Sequence, residues 1–380
     1  MPSAEAPPDR PSYKNIQWAE LVELDLSLFD TPEGRQDLAD QLKDAIHTSG
    51  FFVVKNFGIE EEKIENEFKI CKELFELPLE EKLPFHFPER MAMGDIRGYR
   101  PIGSKLIGLE IRMPDSSLGE LLGLIMSRKN FKKEHKDNVQ FYNVPKHDGV
   151  HDMKHPAPLQ DNIDEIQEFT KEINEKIVHK ILTLVGLMLE LPNPDILIKD
   201  HKSAQNVPSE DLLRLMRYNA IPVEDSDANN GLYAASHVDF GTLTCSFRQP
   251  VAGLQILYKD DVWRWVRPMN DGVVVNAGDW LAAVTGRWCR SGLHRVHAPP
   301  AEQIHLDRHA VIFFSRPNHD TIVQCVRDSP VLQKMGVKWN EEGIDEGLNS
   351  QDFMRDWIAR LKRQQVKFAL MEKVPEVHGR

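Results

Sequence analysis

Hydrophobic spacing divides the chain into a helical first half and a second half of short extended segments. Thr31-Pro32 places an N-cap residue before a proline suited to the first helical turn. Leu38, Leu42, Ala45 and Ile46 then form one apolar stripe that ends at Ser49-Gly50, which predicts a helix between these signals. The apolar run Phe51 to Val54 reads as a buried strand. A second helix is expected over about 60–76, with Ile64, Phe68, Cys71 and Phe75 on one face and Pro78 beyond its end. Between Arg97 and Pro158 the periodicity breaks up, and long loops with short helices are expected. A long helix over about 162–191 follows, carrying Ile163, Ile166, Ile173, Ile177, Ile181, Leu184 and Met188 at helical spacing before Pro192.

From Leu212 the pattern changes. Extended segments are expected near 212–219, 242–248, 254–258, 263–266, 273–276, 295–298, 310–315 and 321–326, separated by turn formers such as Asn270-Asp271-Gly272. Strands in this order, without intervening helical patterns, favour a double-sheet β core over a parallel βαβ array. A final helix from about Ser350 to Met371, with Phe353, Trp357, Ile358 and Leu361 on one side, is placed to pack over the mouth of that core. One structural unit is expected: a polar extension over 1–20, a helical region over 21–200, the β core over 201–330 and a helical region over 331–380.

Hydrophobic residues make up 41% of the chain, enough to build a substantial core. A formal net charge of −12 argues against broad attraction to nucleic acid or an anionic membrane surface. With no long apolar stretch and a polar, proline-containing start, a cytoplasmic protein is expected. Cys71, Cys245, Cys289 and Cys325 lack CxxC spacing and read as buried reduced thiols. The oligomeric state is left open.

The chemistry is concentrated in His237-Val238-Asp239 and, further on, Ser291-Gly292-Leu293-His294-Arg295-Val296. Two imidazoles and a carboxylate can hold iron(II) on one face and leave the remaining positions open, as an oxygenase requires. His237 and Asp239 point to the same side if their segment is extended. The β-branched and aromatic residues that follow, Phe240 to Phe247, support an extended reading.

The run His237-Val238-Asp239-Phe240-Gly241-Thr242-Leu243-Thr244 resembles the HxDxGxxT signature of the iron(II)/2-oxoglutarate-dependent dioxygenases, in the isopenicillin N synthase-like group. Gly253-Leu254-Gln255, Asn276-Ala277-Gly278-Asp279, His294-Arg295-Val296, Arg308-His309-Ala310 and Phe314-Ser315-Arg316-Pro317 match in the expected order. Gly50 to Ile59 and Phe75 to Lys82 are similar to that group's N-terminal region. The resemblance implies an α+β protein with a double-stranded β-helix, or jelly-roll, core and flanking helices. It implies Fe(II), 2-oxoglutarate and O2 as reactants, with oxidation of an unactivated C–H bond of a small molecule and release of succinate and CO2. Natural-product biosynthesis is the expected setting, because the stretch between His294 and Arg308, with Pro299-Pro300 in it, resembles microbial and fungal forms.

The same resemblance assigns individual roles. His294, rather than His297, completes the metal set with His237 and Asp239, since His297 lies at an odd offset on the same expected strand. Arg308 is implied as the partner of the distal carboxylate of 2-oxoglutarate, which a planar guanidinium grips through two parallel hydrogen bonds. Tyr218 is implied as a second donor to it. Two departures stand in these segments: Ala310 where the group usually has Ser, so one hydroxyl donor to that carboxylate is missing, and Met216 where the segment of Tyr218 usually has Asn. Arg217, next to Tyr218, is expected on the other face. Tyr99 and Arg100 are candidate substrate contacts, and Phe240 and Phe314 candidate pocket walls. His147, His151 and His155 are read as a solvated loop, because Gly149 and Pro156 break any helix that would align them. Two rival readings remain: an oxidase on the same scaffold that uses no 2-oxoglutarate, and a metal- or small-molecule-binding protein without catalysis.

Overall fold

The computed structural model describes residues 12–92, 94–104, 138–204, 206–220, 231–258, 260–337, 339 and 347–357. Helix α1, Pro32–Thr48, begins at the expected cap, where the Thr31 hydroxyl accepts the Gly34 N–H at 3.0 Å. Helix α2 spans Glu61–Glu76. Helix α3 runs from Ile163 to Met188 as Ile163–Ile173 and His179–Met188, joined by a π-helical turn at Asn174–Val178. The turn buries Asn174, whose Nδ2 donates to Asp211 Oδ2 at 3.2 Å.

Among the described residues, twelve strands form two sheets. The larger contains β1 (Glu23–Asp25), β2 (Phe51–Lys55), β3 (Gly98–Arg100), β4 (Val139–Pro145), β5 (Leu212–Tyr218), β7 (Leu243–Gln249), β10 (Met269–Ala277) and β12 (Arg308–Ser315), in the order β1-β2-β10-β7-β12-β5-β4-β3. The smaller contains β6 (Leu232–His237), β8 (Leu254–Leu257), β9 (Trp263–Trp265) and β11 (His294–His297), in the order β6-β11-β8-β9. These two sheets and their helices make the α+β jelly roll expected above.

Period-two alternation sorts the large sheet's side chains. Leu213 and Leu215 of β5, Cys245 and Phe247 of β7 and Val311 and Phe313 of β12 join the main core with α1, α2 and α3. The opposite face presents Val139, Phe141, Met216, Tyr218 and Ala310, which pack with Tyr233 and Val296 of the small sheet. The space between the sheets is therefore lined by alternate residues of β4, β5, β12, β6 and β11.

Three expectations about elements are corrected. Strand β4 lies in the region read as loops; all seven of its residues are buried, so neither alternation nor turn signals mark it. The segment 321–326 is not a strand and makes only an isolated bridge, Ile322 to Asn349. Strand β6 ends at His237, so Asp239 lies just past the strand rather than in it. The C-terminal helix is seen over 350–357, and the rest of its expected span lies outside the described residues. All four cysteines are buried and unpaired by disulfides.

One core residue predicts a pH dependence of stability. Glu67 of α2 is 1% exposed, and neither carboxylate oxygen has a hydrogen-bond partner among the described residues. Burial, then the charge of Glu165, pushes its pKa up from 4.5 to about 8. The folded state thus holds a proton that the unfolded chain releases, and stability falls as pH rises from the unfolded pKa through about 8. Glu67→Gln removes this loss. Its stabilisation relative to the parent is expected to be small at pH 5 and to approach about 5 kcal/mol at pH 9, at about 1.4 kcal/mol per pKa unit. Denaturant unfolding of both proteins at the two pH values checks this; a constant difference excludes the titration.

Candidate active site

His237 at the end of β6 and His294 at the start of β11 are register partners across the small sheet, and their rings lie 4.2 Å apart between centroids. Asp239 reaches the same point from the loop after β6. Its Oδ1 lies 3.8 Å from His237 Nε2 and 3.9 Å from His294 Nε2. One ligand atom from each of the three residues falls within 4.8 Å of the others. Metal–ligand bonds of roughly 2.1 Å let one ion join donors up to about 4.2 Å apart, which covers both separations from Asp239 Oδ1.

The surroundings settle which atoms face this point. His237 Nδ1 lies 3.0 Å from the Ala235 carbonyl and His294 Nδ1 lies 2.9 Å from the Gly292 carbonyl. Each carbonyl accepts only if Nδ1 carries the proton, which turns the Nε2 lone pairs toward Asp239. Asp239 Oδ2 accepts from Thr244 Oγ1 at 2.7 Å and Asn276 Nδ2 at 2.9 Å, so Oδ1 is the oxygen left for a metal. Burial opposes ionisation of Asp239, but His294, His237 and these two donors outweigh it and hold the carboxyl down at about 2. Two imidazoles with Nε2 turned to the same point and an ionised carboxylate, each with an outer partner, fit a divalent iron ion.

Glycines let the motif segments meet. A Cβ at Gly278 would stand 2.1 Å from the Gly241 carbonyl oxygen. This close approach lets Asp279 N donate to the Asp239 carbonyl at 2.7 Å and clamps the Asn276–Asp279 segment onto the metal loop. His297 is not part of the set: its Nδ1 contacts the Ala298 carbonyl at 2.9 Å and its ring meets the edge of Trp265.

Arg308, at the start of β12, is 5% exposed. Its Nη2 donates to Gln249 Oε1, its Nε to the Val251 carbonyl at 3.3 Å, and its guanidinium lies 5.3 Å from the centre of the Tyr218 ring. All these partners are neutral, and among the described residues no carboxylate pairs with it. Burial lowers its pKa, with Tyr218 opposing. A buried cation without an anion is costly, and the carboxylate of a bound ligand would offset that cost. A Cβ at Gly253 would stand 3.3 Å from Arg308 Cδ, so this glycine keeps room for the side chain. Tyr218 pairs in register with Arg308 and stacks on Tyr233 at 5.9 Å. Met216 and Ala310, the two departures, are also register partners and line the same face.

The candidate substrate contacts separate. Tyr99 sits on the helix-facing side, in the main core, and its hydroxyl donates to Gln140 Oε1 at 2.8 Å. This placement is opposite to the cavity and corrects its reading as a substrate contact. Arg100, one residue on, turns the other way, with its guanidinium 5.2 Å from the Phe141 ring. Phe314 lies on the cavity face of β12, and Phe240 packs against Phe353 and Trp357 of the C-terminal helix at 5.8 and 5.4 Å. Arg217 points outward to Asp307 at 2.6 Å, as expected.

The histidines read as a solvated loop are instead drawn inward: His151 and His155 are buried and His147 is half-buried. His155 Nδ1 lies 2.9 Å from the Tyr142 hydroxyl, and the His155 ring stacks on His147. His151 stands between Asp148 Oδ2 at 2.8 Å and Glu210 Oε1 at 3.5 Å, and His319 Nε2 lies 3.2 Å from the same Glu210 oxygen. His151, Glu210 and His319 form a second set with metal-ligand spacing among the described residues. Against the effect of burial, the two imidazoles hold Glu210 far below the usual carboxylate range. This network ties the loop after β4 to the start of β5 and the segment after β12. Distant histidines are brought together by chain folding, which their sequence spacing does not report.

A family profile described as the 2OG-Fe(II) oxygenase superfamily matches residues 210–317, the span that holds the triad and Arg308. A second, described as the non-haem dioxygenase in morphine synthesis N-terminal region, matches residues 23–115. The chain belongs to the 2OG-Fe(II) oxygenase superfamily. It is 28% identical to a UPF0676 protein of Schizosaccharomyces pombe over 86% of this chain and 91% of that protein. It is 27% identical to a 2-oxoglutarate-dependent dioxygenase of Didymella fabae, over 76% of this chain and 82% of that one. Among solved structures, a full-length Neurospora crassa protein in complex with alpha-KG superposes with a TM-score of 0.70 at 22% identity, over 89% of this chain and 96% of that one. This oxygenase thus shares the fold of that Neurospora protein.

Proposed function

We propose that this oxygenase uses Fe(II) and 2-oxoglutarate to oxidise an unactivated C–H bond of a small organic molecule, with release of succinate and CO2. The observation that carries the reading is the pairing of the open three-residue set with a buried Arg308 that has only neutral partners. Iron, when bound, supplies the O2 chemistry that side chains lack. The chain's part is positioning. His237, Asp239 and His294 hold one face of the metal, while Thr244 and Asn276 orient Asp239. Arg308, held by Gln249 and the Val251 carbonyl, grips the distal carboxylate of 2-oxoglutarate. Met216, Ala310, Tyr233 and Val296 keep the space between the sheets apolar and exclude water. Phe353 and Trp357 close over Phe240 beside the metal loop.

Natural-product biosynthesis is the setting we infer, supported by the Pro299-Pro300 stretch and the fungal relatives. Ala310 and Met216 favour one second reading, an oxidase that uses no 2-oxoglutarate; the chain is also 26% identical to a 1-aminocyclopropane-1-carboxylate oxidase of Dictyostelium discoideum. Incubation of the iron-loaded enzyme with 2-oxoglutarate and a metabolite extract, followed by mass spectrometry, separates the two. Succinate formed in step with a new product is expected. A new product without succinate establishes the second reading.

A further inference from the structure

The cavity has a second cationic group, apart from Arg308. Arg214 lies on the cavity face of β5, in line with Met216 and Tyr218. Its guanidinium is held between two rings, 4.4 Å from the centre of Phe141 and 4.7 Å from that of Phe314. Arg316, just past β12, lies 5.9 Å from the same Phe314 and 5.8 Å from Phe240. Phe240 follows Asp239 in the chain, so its contact with Arg316 places this group at the metal end of the cavity.

Neither is neutralised by a direct ion pair among the described residues. Arg214 Nε donates to the Asn143 amide oxygen at 2.7 Å, a neutral acceptor. Arg316 Nη1 donates to the Glu210 backbone carbonyl at 3.1 Å, and its buried Nε has no partner among the described residues. Two carboxylates lie near Arg316 but are engaged by other groups: Glu210 by His151 and His319, and buried Asp211 by the Arg316 backbone N–H at 2.6 Å and Asn174 Nδ2 at 3.2 Å. Burial and then the neighbouring Arg316 pull the Arg214 pKa down to about 10, with Asp239 and Tyr218 opposing and Arg100 adding to the repulsion. Two cations that repel each other in a low-dielectric site, flanked by aromatic rings, are arranged for a shared anion.

We propose that Arg214 and Arg316 bind a carboxylate of the primary substrate, so that this oxygenase acts on an organic acid, with Phe141, Phe240 and Phe314 against its apolar body. The proposal rests on the oxygenase reading above. It also accounts for Arg316 in the motif segment Phe314-Ser315-Arg316-Pro317, to which the metal and 2-oxoglutarate roles give no task.

The test uses the full chain loaded with Mn(II), which stands in for iron without turnover, and saturated with 2-oxoglutarate. Phenylacetate, indole-3-acetate and decanoate are each titrated by calorimetry against their primary amides. In at least one pair the acid is expected to bind tenfold or more tighter, the range of one or two charge-assisted hydrogen bonds. Arg214→Gln and Arg316→Gln should each cut that preference to under threefold, and Arg214→Lys should keep part of it. Circular dichroism and 2-oxoglutarate affinity, titrated separately, should match the parent. Equal binding of acid and amide in every pair, failure of all three acids to bind, or a preference that survives both Gln variants overturns the proposal. Failure of the parent to bind 2-oxoglutarate would instead count against the oxygenase reading.

Discussion

His294→Ala is expected to lose metal binding and turnover together, whereas His297→Ala keeps both. The two histidines occupy one short strand, but only His294 presents Nε2 to Asp239, at 3.9 Å, while His297 is turned toward Trp265. His237→Ala and Asp239→Ala should behave like His294→Ala, because each removes a direct bond to the metal. Loss of an outer partner of a metal ligand typically costs 10–100-fold in affinity or activity. Asn276→Ala, which removes one donor to Asp239 Oδ2, should fall in that range, and the three ligand variants should exceed it. Metal content after dialysis, measured beside succinate release, reads both effects. Full activity in His294→Ala with loss in His297→Ala would require a different ligand set.

The second large effect is expected at Arg308. A well-formed hydrogen bond to a charged partner contributes about 1.5–3 kcal/mol, so its loss raises the 2-oxoglutarate requirement roughly ten- to a hundredfold. Arg308→Leu should reach the upper end, since among the described residues its guanidinium is the cation placed beside Tyr218 on that stretch of the cavity wall. Tyr218→Phe should change it far less. Ala310→Ser should leave it equal or lower it, because Ala310 is completely buried on the same face and a hydroxyl there would add a donor. Titration of 2-oxoglutarate against succinate release in the three variants gives the order. An unchanged requirement in Arg308→Leu would sink the assignment of the cosubstrate site.

The Arg214 and Arg316 proposal separates from this one by position on the same strands. Arg308 and Tyr218 face each other at one end of the β5–β12 pairing, while Phe314 pairs with Leu212 at the other. Substitutions at the two ends should therefore act on different ligands, cosubstrate at the first and primary substrate at the second.

Where local signals were strong, they carried through to the fold. The Thr31-Pro32 cap placed α1, helical spacing from Ile163 to Met188 placed α3, and the apolar runs in the second half placed β5, β7, β8, β9, β10, β11 and β12. The triad was legible because HxD and the later His-Arg-Val lie in recognisable short patterns. Arg214 could have been found by the same means, as it stands two residues before Met216 and four before Tyr218 and so shares their face. Strand β4 escaped because burial on both faces removes alternation, and Tyr99 was misplaced because a strand of three residues has no periodicity to show which face is inward.

The sequence by itself determined the elements with strong caps and periodicity, the candidate metal set and the presence of a cation suited to a carboxylate. These depend on interactions between residues near one another in the chain, or on residue types that few other chemistries require. Only the tertiary structure decided that Arg308 lacks an acidic partner among the described residues, that Tyr99 faces the core, that His151 and His319 meet at Glu210, and that Arg214 and Arg316 share Phe314. Each of these depends on which distant segments pack together, because burial and electrostatic pairing are set by neighbours across the sheets and not by neighbours along the chain.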